Sequence, residues 1–157
     1  MKTALYSFFL IAIISLIACD ENLVYEQNRD IENAEWERNK KANFNFNISD
    51  TATPYNFYLN FRHSGQYPYK NLYLFTRTTS PNGEVALDTA QMLLADNQGK
   101  WMGKGIGDLY DYQFRFKELV LFPAKGEYSF EIEQAMRDEV LPYVTDIGIR
   151  IEKVSGE

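Results

Sequence analysis

The sequence predicts an all-β protein: an antiparallel β-sandwich, jelly-roll or Ig-like in topology, with one short helix. Three observations carry this expectation. Apolar and polar residues alternate through five separate runs, as they must when a strand buries one face and wets the other. Turn signals fall between the runs, at Thr53-Pro54, Ser64-Gly65, Pro81-Asn82-Gly83, Asn97-Gln98-Gly99 and Lys125-Gly126. Beyond the N-terminal apolar run, a single compact stretch has helical spacing.

Met1 and Lys2 precede an apolar run from Ala4 to Ile17, broken only by Ser7 and Ser15. The run falls short of the ~20 residues a membrane-spanning helix needs and matches the core of a secretory signal. It ends in Leu16-Ile17-Ala18-Cys19, the pattern of a bacterial lipobox, and Cys19 is the sole cysteine of the chain. The expectation is a lipoprotein signal peptide over 1–18, cleavage before Cys19, and a thioether to diacylglycerol on its sulfur. Further acylation of the new amine would then hold the protein well beyond the marginal anchoring of one chain. A lone lipidated cysteine leaves no disulfide framework to build. Residues 19–41, "CDENLVYEQNRDIENAEWERNKK", are polar and charged and read as a tether, with Tyr25 and Trp36 able to pin its later half to the fold.

The sandwich is expected over 42–157. "NFNFNIS" sets Phe44, Phe46 and Ile48 against three asparagines, and "NFYLNF" repeats the pattern with Phe57, Leu59 and Phe61. "NLYLFTRTT" reads as a central strand covered on both sides, and "EVALDTAQMLLA" as a further extended run. "YQFRFK", "YSFEIE" and "DIGIRIEK" complete the alternating set. Between the last two, "EQAMRDEVLP" places Ala135, Met136, Val140 and Leu141 near helical spacing before Pro142, so this is the predicted helix.

Net charge is −6, and loss of Lys2 with the leader would make it one unit more negative. An acidic domain without a Lys/Arg cluster is a poor nucleic-acid binder and has no electrostatic reason to lie on anionic lipid. His63 is the only histidine, so any triad or imidazole metal site would have to form around it; beside Ser64-Gly65 it reads as a loop residue. "LADNQGKWMGKGIGDLYD", from Leu94 to Asp111, holds four of the nine glycines and the carboxylates Asp96, Asp108 and Asp111. Calcium favours clustered oxygens, but this spacing is not that of an EF-hand. The glycine spacing also lacks the lysine-serine pair of a phosphate loop. Trp101, Tyr110 and Tyr112 are the candidate ligand or partner surface, since flat rings can stack on a pyranose; the alternative is that Trp101 belongs to the core. No catalytic residue, metal or cofactor is expected.

The lipobox, "NLYLF" at 71–75, "LDT" at 87–89, "GKWMGKGIGDLYD" at 99–111 and "GEYSFEIEQAMRDEVLPYVTDIGIRIEK" at 126–153 together resemble the gliding-motility lipoprotein family GldH. Gln134-Ala135-Met136-Arg137 and Asp146-Ile147-Gly148 are the most specific parts of the likeness. The resemblance implies a membrane-anchored accessory component of the gliding apparatus, associated with type IX secretion and linked to use of insoluble chitin. It brings no catalytic or ligand residue beyond the lipid site. Two functions of different class follow as expectations: a non-catalytic component docking to envelope motility and secretion proteins, or a surface glycan-binding lipoprotein. The expected location is the cell envelope, in the outer rather than the inner membrane.

Overall fold

The computed structural model describes residues 21–154, so the signal peptide and Cys19 lie outside the described residues. Eleven strands form: β1 (Leu23–Asp30), β2 (Glu35–Glu37), β3 (Ala42–Ile48), β4 (Tyr55–Ser64), β5 (Asn71–Thr79), β6 (Val85–Leu93), β7 (Lys104–Ile106), β8 (Leu109–Val120), β9 (Gly126–Gln134), β10 (Val140–Pro142) and β11 (Val144–Lys153). Two antiparallel sheets carry the fold, one in the order β1-β11-β4-β8-β7 and the other β3-β9-β5-β6. A small ribbon of β10 and β2 stands beside them.

The pairing is nested: β1 with β11, β3 with β9, β4 with β8, and β5 with β6. The first long strand therefore meets the last, the second meets the next to last, and so inward. This is the wiring of a jelly roll and resolves the topology that the sequence left open.

Alternation explains the core directly. β3 and β4 bury every second residue; the inward rings of β3 lie beside those of its neighbour β9, and those of β4 meet both across the sandwich. Phe46 stacks on Tyr128 at 5.7 Å and meets Phe57 edge-on at 6.0 Å, while Phe57 reaches Phe130 at 4.8 Å. Each such fully buried ring contributes about 1.5–3 kcal/mol through area removed from water. Ile147, Ile149 and Ile151 of β11 fill the remaining floor.

Three expectations need correction. The stretch 19–41 is mostly part of the domain: β1 is an edge strand whose Tyr25 packs on Phe46 at 5.8 Å, and Trp36 of β2 is buried with Nε1 donating to the Lys40 carbonyl at 2.8 Å. Its charges fit an edge strand, which wets one face and one margin. β1 begins at Leu23, so the ordered fold takes up most of the stretch read as a tether. No helix forms in "EQAMRDEVLP"; β9 runs on through Gln134 and β10 pairs Val140–Pro142 with β2, while the sole helical turn among the described residues is Glu32–Ala34. Finally, β5 is central in its sheet, between β9 and β6, but its outer face is uncovered.

Candidate functional site

At one end of the sandwich, β4 and β8 bring the sequence candidates together. His63 lies opposite Tyr110, and Phe61 opposite Tyr112. Ala95 bridges Trp101 just beyond the Asn97–Gly99 turn, which delivers the indole to the same place. The imidazole of His63 is 4.6 Å from Trp101, 5.4 Å from Tyr67 and 5.8 Å from Tyr110, centroid to centroid. Trp101 and Tyr110 are 6.1 Å apart. The predicted trio thus divides: Trp101 and Tyr110 share one cluster, whereas Tyr112 lies further along the inner face beside Phe61.

His63 is fully buried, a core residue of β4 rather than a loop histidine. Its Nδ1 lies 2.9 Å from the Ser64 carbonyl, which can only accept, so the proton is on Nδ1. Nε2 then carries a lone pair with no hydrogen-bond partner among the described residues. Desolvation pushes the imidazole pKa below its ordinary value, keeping the ring neutral. Burial also pushes the Tyr67 hydroxyl well up; it donates to the Asn71 carbonyl at 3.3 Å.

The neighbouring hydroxyl is committed elsewhere. Ser64 Oγ donates to Asp108 Oδ2 at 3.1 Å and accepts from the Gln66 amide at 3.0 Å. The three carboxylates of the glycine-rich stretch also part company. Asp96 Oδ1 accepts the Gln98 and Lys100 amides at 2.9 Å each, Asp108 holds Ser64, and Asp111 pairs with Arg62 at 2.5 Å. Among the described residues no group of three His, Cys, Asp or Glu side chains could hold a metal ion.

Two surfaces escaped the sequence reading. On the outer face of the five-stranded sheet, polar side chains are linked across four strands. Gln113 Nε2 donates to Asn60 Oδ1 at 3.0 Å, Asn60 Nδ2 donates to Glu26 at 3.0 Å and Asn28 at 3.3 Å, and Arg150 pairs with Glu26 at 2.6 Å. Arg62 also reaches the buried carboxylate of Asp146 at 3.2 Å. Burial raises the Asp146 pKa, an effect Arg62 opposes. Gly148 makes this layer possible: a Cβ there would meet Asn28 Oδ1 at 1.8 Å and the Gln27 carbonyl oxygen at 2.6 Å.

The second surface is the outer face of β5 and β6. Tyr73 and Phe75 point outward on β5, Val85, Leu87 and Leu93 on β6, with Phe75 54% and Leu87 68% exposed. Cross-strand pairing sets Phe75 opposite Thr89 and Arg77 opposite Leu87, so Phe75 and Leu87 are diagonal neighbours. β6 is also a sheet edge nine residues long without Pro or Lys; its one charge, Asp88, has the inward parity and pairs with Lys117 at 2.6 Å. Its signal was present in "EVALDTAQMLL", where large residues take one parity at the start and small Ala86 and Ala90 the other.

The loop between β9 and β10 explains the most specific piece of the resemblance. Buried Gln134 donates to the Asp138 carbonyl at 2.9 Å and accepts from the Met136 amide at 2.9 Å. From the other side, Arg38 Nη2 donates to the carbonyls of Met136 and Arg137, each at 2.7 Å, and of Asp138 at 3.2 Å. Gln134 thus serves as both donor and acceptor at the head of this loop.

The family model described as GldH lipoprotein matches residues 23–151. A protein named gliding motility lipoprotein GldH homolog, from Christiangramia forsetii, is 34% identical over 161 residues, covering 98% of this chain and 98% of the relative. The gliding motility lipoprotein GldH of Flavobacterium johnsoniae is 32% identical over 151 residues, covering 92% of this chain and 93% of the relative. Among solved structures, one of infectious bursal disease virus, Gx strain, covers 88% of this chain and 34% of its own at 11% identity. Its TM-score of 0.34 is too low to add to the fold described above. Matched from the first strand to the last, the chain belongs to the GldH lipoprotein family.

Proposed function

We propose that this protein is a lipid-anchored, non-catalytic accessory component of the gliding-motility envelope machinery, associated with type IX secretion. Cys19 carries the anchor, and the outer membrane is its seat. The names of the two relatives support the motility assignment. The observation that carries the docking role is the uncovered apolar face of β5 and β6 beside a free strand edge. Exposed rings and leucines in this number, flanked by Arg77 and Gln91, match the chemistry of a protein-protein interface.

A photo-crosslinking residue in place of Leu87, in cells, tests the reading. Adducts with motility or secretion proteins that disappear in Phe75→Glu support it. Adducts indifferent to Phe75→Glu, or confined to abundant unrelated envelope proteins, overturn it.

The juxtaposition of Trp101 with Tyr110 favours a second reading, a glycan site at that end of the sandwich. Retardation in affinity gels containing chitin-derived or soluble glycans, abolished by Trp101→Ala, would support it. Migration unaffected by any glycan would remove it.

A further inference from the structure

We propose that the pole of the sandwich opposite the His63 cluster rests on the lipid bilayer through Val85, Leu119 and Leu121. The inference rests on the reading of Cys19 as the lipid anchor and adds an orientation to it. Register identifies the pole. Leu23 pairs with Glu152, Lys153 with Tyr55, and Tyr55 with Val120, so the first residues of β1 and β4 and the last of β11 and β8 lie together. The Lys153 amide donates to the Asn22 carbonyl at 2.8 Å and the Val154 amide to the Pro54 carbonyl at 2.9 Å, which ties these ends down.

The chain therefore leaves the fold here, and it leaves on a short lead. Four Cα steps separate Cys19 from Leu23, a reach of at most about 14 Å. The strands run much further: β11 has ten residues, about 34 Å at ~3.4 Å each. Three strand intervals of ~4.8 Å separate β1 from β8, again about 14 Å. With the anchor in lipid, the end of β8 lies within one tether length of the headgroups.

What stands at that pole is apolar. Leu119 is 63% exposed, Leu121 61% and Val85 50%. Leu119 also adopts φ 52, a left-handed conformation that a leucine rarely takes, with its amide held by Asn56 Oδ1 at 3.3 Å. Strain that turns a leucine toward solvent is retained where something else benefits from it. Beside these residues opens a cavity of about 540 Å³, lined by Phe57, Phe116, Val120, Leu121 and Phe122 among others. The charges nearby are of both signs, Lys117 and Lys125 against Glu84, Glu118 and Glu127, on an acidic chain. Contact is accordingly with the apolar layer of the membrane and independent of anionic headgroups.

The test uses the full lipidated chain in phosphatidylcholine vesicles. With Cys19 acylated, Leu121→Cys supplies the one free thiol for an environment-sensitive fluorophore, and Ile106→Cys, 81% exposed in β7 at the far pole, supplies the control. The expected result is several-fold stronger quenching by lipid-borne nitroxides at position 121 than at 106, unchanged by salt. Equal quenching at both positions, with the protein floating with the vesicles and Cys19 acylated by mass spectrometry, overturns the orientation and leaves the anchor intact. Protein that does not float, with Cys19 free, overturns both.

Discussion

Gly148→Ala separates two physical expectations of opposite sign. A strand-interior glycine normally costs about 0.5–1 kcal/mol against alanine, so intrinsic propensity alone predicts a gain in stability. Contact predicts a loss. The new Cβ would lie 1.8 Å from Asn28 Oδ1 and 2.6 Å from the Gln27 carbonyl oxygen, the second a backbone atom of the paired strand. Displacing Asn28 forfeits its 3.3 Å bond from Asn60, worth about 1 kcal/mol. Pushing β1 away from β11 adds an overpacking cost of about 1–3 kcal/mol. Set against the propensity gain, the net loss is about 1–3.5 kcal/mol, readable as a lower denaturation midpoint in urea with unchanged m. Asn28→Ala in the same chain removes the nearer obstacle and leaves the Gln27 oxygen. The double variant should therefore recover about 1 kcal/mol relative to additivity. A stabilised Gly148→Ala, or strict additivity with Asn28→Ala, would refute the account of this layer and of how β1 is held to the sheet.

Arg38→Gln should cost about 2–3 kcal/mol, since a charged donor serves three carbonyls; hydrogen exchange should accelerate first in 135–139. His63 makes stability depend on pH. Its folded pKa lies below the ordinary 6.5, so the unfolded chain takes up the proton first and stability falls as pH drops through 6.5 toward the folded value. The rings of Phe61, Tyr67, Trp101 and Tyr110 pack against it, and the bond to the Ser64 carbonyl opposes the desolvation only in part. Denaturation midpoints at pH 7.5 and 5.5 should differ in the wild type, and His63→Phe should remove that share of the difference. Cys19→Ala should accumulate as uncleaved precursor that takes no label from radiolabelled palmitate; a labelled variant would refute the anchor.

Legibility of the fold followed the contrast between faces. β3, β4, β9 and β11 separate a dry side from a wet one, so alternation revealed them. β1 was hidden because it is an edge strand packed chiefly through Tyr25, and Glu26, Arg29 and Asp30 read as tether. The one short helix is the turn Glu32–Ala34, and its expected place at 133–142 failed for a different reason. Ala135, Met136, Val140 and Leu141 have helical spacing, but Arg38 collects the carbonyls of 136–138 from almost a hundred residues away, and Trp36 pairs with Leu141. Neither contact is local, so no window of sequence contains it. Trp101 and Tyr110, named together from the sequence, lie 6.1 Å apart, while Tyr112 was grouped with them by proximity in sequence. Phe75 and Leu87 went unnoticed because an apolar residue on a strand reads as core until the opposite face is known to be dry.

The nested wiring gives the molecule two unlike poles, and this constrains any mechanism. Because β1 lies beside β11, β1 begins at the pole carrying Leu119 and Leu121. The cluster around His63 lies a strand length away, about 34 Å by the ten residues of β11. The apolar face of β5 and β6 runs between the poles, since Val85 begins β6 at the pole of Leu119 and Leu121 and Leu93 finishes it at the other. A partner seated along β6 would therefore span from the lipid surface outward, whereas a ligand at Trp101 would be met at full height. Lengthening the chain between Cys19 and Leu23 by a flexible insert separates these cases. A partner that must touch both membrane and β6 loses its alignment, and cross-linking from position 87 should fall with insert length. Cross-linking that ignores the insert would mean that the partner reads the β6 face alone.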